Sequence, residues 1–387
     1  MFYDHTYYEN IIQGIFTSTD VGYSINDGDR TTSKLHAIEL ADYDMSKVKY
    51  HWLENQFDVA TWTVEPDASL DYQVDQHVKS IRASYDHVGL WFSGGYDSFT
   101  ILKAFVRNNL KVDELLLYQR DWHVGASHLD FQTALDSAVY VKKHWLPDVT
   151  ITVVNWGNKD AVVEFYKNRK LDWVYTNGNL SRISQNGREF LYTQNDDIKK
   201  TLDRPGRRIQ INGNDKPRVN LRDGNWYSTR TDTMFFQESK DWSLQFWFLP
   251  DLYVKQTWMM IRWLETLEET THEFVHALQS HDTSDRVYME WNLALGRDVP
   301  LFPFCLGLGI KHAFNPGMHS DEAKPLLDVI RTADPEIYHL YKTGAEYIAQ
   351  VHEKIKKSGG YTVAMSKEYF VKKFELSVKT KPLERVI

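Results

Sequence analysis

Val88-Gly-Leu-Trp-Phe-Ser-Gly-Gly-Tyr-Asp-Ser-Phe-Thr-Ile-Leu-Lys-Ala-Phe-Val106 joins three kinds of segment in a row. Val88 to Phe92 is an apolar run, short enough for a buried strand. Ser93 to Ser98 is a turn, and its glycines Gly94 and Gly95 leave backbone N–H groups open to a ligand above them. Beyond it, Ile101, Leu102, Phe105 and Val106 recur at helical spacing. A strand, a glycine-rich turn and a helix start make an anion site. The helix dipole and its unpaired N–H groups favour a phosphate there by up to ~2 kcal/mol. Ser93 and Ser98 add hydroxyl donors, and the Asp97 carboxylate can hold Mg²⁺ against bound phosphates. The plainer alternative is a glycine-rich turn that only reverses the chain.

The flanks carry the same alternation. Upstream, Val74, Val78 and Ile81 predict a helix over Asp71–Tyr85 that feeds the Val88 strand. Downstream, Val112–Tyr118 reads as a second strand, Phe131–Trp145 as a helix stopped by Pro147, and β-branched Val149–Val154 as a third strand. Asp160–Arg169 reads as another helix. Strands and helices alternating at this spacing predict an α/β fold, a parallel sheet with helices on both faces. Ligands of such sheets lie at the carboxyl ends of the strands, which brings in Gln119-Arg-Asp121 and Asn155-Trp156. Tyr118 and Gln119 would then flank the adenine of a nucleotide; an ordinary strand end is the alternative.

Ser93-Gly94-Gly95-Tyr96-Asp97-Ser98 resembles the PP-loop of the ATP pyrophosphatase superfamily, the group of asparagine synthetase, GMP synthetase and NAD synthetase. The signature, SGGxDS after the first strand of an α/β domain, is met at every fixed position. The resemblance implies a Rossmann-like fold that binds ATP and Mg²⁺ and cleaves ATP to AMP and pyrophosphate. A carboxyl or carbonyl group is adenylated and then attacked by ammonia or an amine, the chemistry of an amide- or C–N-bond-forming ligase like asparagine synthetase. By that resemblance Ser93, Gly94, Gly95 and Ser98 hold phosphates, Tyr96 stands with them in the nucleotide-binding loop, and Asp97 contacts the metal. Asparagine synthetase-like members also face the pyrophosphate with a turn after a late strand. Lys216 and Arg218 are assigned there by position alone, since their pattern is not that turn's. Glutamine-hydrolysing relatives begin their activity with an N-terminal cysteine, and position 2 here is Phe2. Thiolating, sulfonucleotide-reducing and zinc-holding branches need more cysteine than Cys305, the one this chain has. A nucleotide-binding module without turnover is the competing class.

Elsewhere the chain divides into a mixed segment over 1–68, the nucleotide-binding α/β domain over 69–238, and a mostly helical domain over 239–387. In the first, His36–Leu40 and Val59–Val64 alternate as short strands, and Asn26–Asp29 reads as a turn. In the second, Tyr175–Gln194 is a polar loop, Arg208–Ile211 a strand, and Arg222–Asn225 the turn of a hairpin. Residues 199–222 are basic against the acidic trend of the chain. That makes them a solvated face, a phosphate contact, or a groove for RNA or DNA with Trp226 and Tyr227 as stacking residues. In the third, Asp251–Gln279 reads as one long amphipathic helix, Ser284–Leu295 as a helix closed by Gly296, and further helices as lying near 321–332, 337–356 and 367–376.

The net charge of −8 opposes wholesale nucleic-acid wrapping. With one cysteine, no membrane-length apolar run and no leader pattern, a soluble cytoplasmic protein with no membrane partner is expected. Oligomeric state and acceptor substrate stay open. His272-Glu-Phe-Val-His276 is an HExxH string, and zinc hydrolysis through His272, Glu273 and His276 is the remote alternative. The two histidines fall on the helix side away from Met260, Leu264, Phe274 and Leu278, and no third ligand follows at the usual spacing, so a polar helix face is expected. Gly307-Leu-Gly309 lacks the third glycine of a dinucleotide fingerprint.

Overall fold

The computed structural model describes residues 21–26, 28–31, 33–119, 126–155, 205–213, 217–232, 243–267, 270–279, 285–298, 301, 335–358 and 365–374. The first of them build a small antiparallel sheet. Its strands are β1 (Val21–Ile25), β2 (Arg30–Thr31) and β3 (Val48–Trp52), in the order β2-β1-β3. Helix α1 (Lys34–Leu40) lies between β2 and β3, and the single turn α2 (Glu54–Phe57) follows. Two expectations fail here. His36–Leu40 is helical, because Ser33 caps the helix by accepting from His36 N at 3.3 Å and Leu35, Ala37 and Ile38 turn inward together. Val59–Val64 forms no strand: both valines are exposed, and only Trp62 points inward, donating from Nε1 to Phe57 O at 2.8 Å.

The central layer follows. Helix α3 (Leu70–Ser84) leads into β4 (His87–Trp91), α4 (Tyr96–Arg107), β5 (Glu114–Gln119), α5 (Ala126–His144) and β6 (Thr150–Asn155). Then come β7 (Arg208–Asn212), the hairpin β8 (Arg218–Arg222) and β9 (Asn225–Thr231), and β10 (Ser243–Gln245). Five strands pair in parallel in the order β10-β7-β4-β5-β6, so the chain is an α/β fold on a parallel sheet. Val88, Leu90, Leu115, Leu116, Leu117, Ile209 and Ile211 are all buried, as a sheet covered by helices requires. α3 packs on α4, and α5 on β5 and β6. The parallel sheet extends past residue 238 through β10.

The β8–β9 hairpin turns at Asp223 and Gly224, with φ of 51° and 67°, the positive pair a two-residue hairpin turn needs. β11 (Ser366–Lys373) pairs antiparallel with β9 and completes a third sheet, β11-β9-β8. Residues 367–376, expected as a helix, supply this strand instead. Tyr369 and Val371 are buried while Phe370 between them is exposed, an alternation of two. Trp226, a stacking residue only in the nucleic-acid alternative for this segment, is a core residue whose Nε1 donates to Glu265 Oε1 at 3.0 Å.

The described helices after β10 are α6 (Pro250–Leu264), α7 (His272–Gln279), α8 (Asp285–Ala294) and α9 (Pro335–Lys357). The one long helix expected across 251–279 is thus two. The chain leaves the helix after Leu264 and restarts on Thr271, whose Oγ1 accepts from Phe274 N at 3.1 Å as an N-cap. Gly296, at φ 68°, ends α8 in the left-handed conformation that glycine supplies. No described helix is long and apolar enough to cross a membrane. The elements expected at 160–169, 175–194 and 321–332, with Cys305 and Gly307–Gly309, lie outside the described residues.

Candidate nucleotide site

The loop 93–98 sits where its sequence puts it, between the carboxyl end of β4 and the start of α4. Phe92 N still bonds Leu116 O at 2.8 Å, so the loop leaves a strand pinned to β5. Gly94 takes φ 67°, which a side chain would resist. Gly95 is the N-cap of α4 and gives the helix no side-chain cap. A Cβ at Gly95 would meet only Ser93 Oγ, at 3.4 Å, so the space above the turn is open. Ser93 and Ser98 hold the turn together: Ser98 Oγ accepts from Ser93 N at 3.3 Å, and the two hydroxyls are 3.3 Å apart. Tyr96 is buried.

From β4 the chain continues to β5 and β6 on one side, and later to β7 and β10 on the other. The β4–β7 boundary is therefore where the strand order reverses, the crevice in which open α/β sheets hold ligands. Gly213, directly after β7, packs closely against α4: a Cβ there would stand 3.0 Å from Ile101 Cδ1 and 3.3 Å from Asp97 Cβ. Trp247 Nε1 donates to Gly213 O at 3.1 Å.

Asp97 is partly exposed, and its carboxylate pairs with the guanidinium of Arg297, which is fully buried. Arg297 also lies over the Trp247 ring, 5.5 Å from its centroid. Burial pushes the Arg297 guanidinium down to about 9. Nothing in the local sequence marks Arg297; Gly296 only announces a helix end, and the contact is made across the fold. Gly213 and Trp247 were missed for the same reason.

The remaining expected residues scatter. Gln119 and Tyr118 end β5, the strand beside β4, and in continued register Tyr118 stands level with Ser93. Arg218 is exposed at the head of β8, in a different sheet from the loop, and Lys216 lies outside the described residues. Arg222 stacks on Tyr227 at 4.9 Å and pairs with Glu368 at 2.9 Å. His272, Glu273 and His276 are exposed on α7, and no group of three His, Cys, Asp or Glu positioned for a metal occurs among the described residues.

No protein-family model matches the chain, and no curated protein is significantly similar to it.

Proposed function

We propose that this protein is an ATP pyrophosphatase-type ligase of the PP-loop superfamily, nearest in style to the synthetase domain of asparagine synthetase. One observation carries the reading. All fixed residues of SGGxDS occur together, on an uncapped helix start, at the carboxyl end of a parallel strand, where the sheet order reverses. The loop needs no proton chemistry of its own. Backbone N–H groups of the first turn, with the Ser93 and Ser98 hydroxyls, meet the charge that develops on the pyrophosphate as the bond between the α- and β-phosphates breaks. The donor set fits a magnesium nucleotide: glycines that leave the cradle open, and a partly exposed Asp97 carboxylate beside it. Mg²⁺ held there supplies charge neutralisation to the polyphosphate. A substrate carboxyl or carbonyl oxygen attacks the α-phosphorus, and ammonia or an amine then displaces AMP. A single cysteine supports a cytoplasmic setting for this activity.

Phosphorus-31 NMR of MgATP incubated with the protein and a panel of carboxylate and amine acceptors tests the reading. AMP with pyrophosphate is expected; ADP with orthophosphate would sink it. The second reading, a nucleotide-binding module without turnover, is favoured by the Arg297 guanidinium resting on Asp97. In that case the titration shows MgATP binding and no product with any acceptor.

A further inference from the structure

We propose that Arg297 is the cation of the phosphate site: it neutralises Asp97 while the loop is free, and gives its other N–H donors to pyrophosphate oxygens once Asp97 is engaged by Mg²⁺. The inference rests on the loop being the MgATP site proposed above.

A guanidinium carries five donors in a rigid fork suited to phosphate oxygens. Arg297 is fully buried, yet among the described residues its one acidic partner is Asp97, and its Nε and Nη2 have no acceptor. Buried charged donors are rarely left in that state, and where they are, a ligand oxygen is the natural acceptor.

Position fixes which ligand. Residues 296–298 are laid along α4. Arg297 rests on Asp97, Asp298 N donates to Thr100 Oγ1 at 2.9 Å, and Asp298 Oδ1 meets Lys103 Nζ at 2.8 Å. Asp97, Thr100 and Lys103 follow one side of the helix, so Arg297 is held at its first turn, where Gly95 supplies no side-chain cap. Trp247 backs the guanidinium and is itself tied to Gly213.

Charge explains the pairing. An aspartate in the first turn opposes an incoming polyanion, and Arg297 cancels that repulsion without metal. It supplies, from a different part of the chain, the pyrophosphate-side cation that position alone assigned to Lys216 or Arg218.

Calorimetric titration with inorganic pyrophosphate, with and without Mg²⁺, tests this on wild type, Asp97→Asn, Arg297→Gln and the double variant. Wild type should bind magnesium pyrophosphate at least tenfold tighter than metal-free pyrophosphate. Asp97→Asn should bind metal-free pyrophosphate at least tenfold tighter than wild type does, because Arg297 is released. The double variant should lose that gain. Where Arg297→Gln does not fold, Arg297→Lys takes its place, and the gain must still fall because one ammonium lacks the fork. A gain that is absent, or that survives loss of Arg297, overturns the assignment of Arg297 alone. A wild-type protein that binds neither MgATP nor magnesium pyrophosphate overturns the reading of the loop itself.

Discussion

At Gly213 the space beside the loop is already used. A methyl group there stands 3.0 Å from the Ile101 side chain and 3.3 Å from Asp97 Cβ. Gly213→Ala should therefore shift the first turn of α4 as well as lower stability, by the ~1–3 kcal/mol typical of overpacking. MgATP titration and thermal unfolding check both; unchanged nucleotide affinity would mean that β7 does not help shape the site. The phosphate loop was legible at this scale because its chemistry is local: six adjacent residues state the turn, the donors and the carboxylate. Arg297 was not. Its role is made by a distant segment lying along α4, and no spacing in the sequence encodes that approach.

Among the elements, α3 carries a feature that its helical periodicity concealed. His77 is fully buried on it, 4.6 Å from the Phe246 ring between centroids, and burial pushes its imidazole down to about 3. The folded form is thus neutral, while the unfolded chain takes up a proton near pH 6.5. Stability is complete above that value and falls as pH drops toward 3, by about 1.4 kcal/mol per pH unit. Glu54, held down to about 2 with Lys367 and His51 as its partners, adds acid sensitivity only below the ordinary glutamate range. Between pH 6 and 4.5, His77→Gln should flatten the slope of stability against pH by about one proton. Equal slopes in urea titrations of both proteins would refute this. Elements with continuous apolar runs were readable, β4 and β5 above all, because burial on both faces leaves no other pattern, while the half-buried edge strand β6 was readable from its β-branched residues. Short amphipathic pieces were not. His36–Leu40 fits a strand or a helix equally well until the Ser33 cap is counted, and Lys-rich 367–376 hid a two-residue alternation. The Thr271 cap is likewise the signal that splits 251–279.

For the whole molecule, the two antiparallel sheets are tied together by one buried polar cluster. Lys34 of α1 meets Asp232, just past β9, at 2.5 Å with both side chains almost wholly buried. Tyr23 of β1 donates to the same carboxylate at 3.0 Å, and Met365, at the head of β11, donates through its backbone N at 3.0 Å. Burial pulls the Lys34 ammonium down, against the attraction of Asp232. Asp232→Asn leaves that ammonium without its counter-charge and should cost ~3–5 kcal/mol, read as a lower denaturant midpoint. A midpoint unchanged from wild type would show that the N-terminal sheet is held by apolar packing alone. This joint was invisible in the sequence, since it links residues near both ends of the chain. The fold class was visible, because strand–helix alternation around Val88–Val106 admits few topologies.

The central claim, that the loop after β4 is a phosphate cradle, is tested most directly by titrating MgATP into wild type and Gly95→Val. Gly95 has an ordinary φ of −81°, and only Ser93 Oγ stands near its missing side chain, so valine fits the backbone while filling the cradle. Saturable binding by wild type and its loss in a normally folded Gly95→Val is the predicted result. Equal binding by the two proteins, or none by wild type, would contradict it.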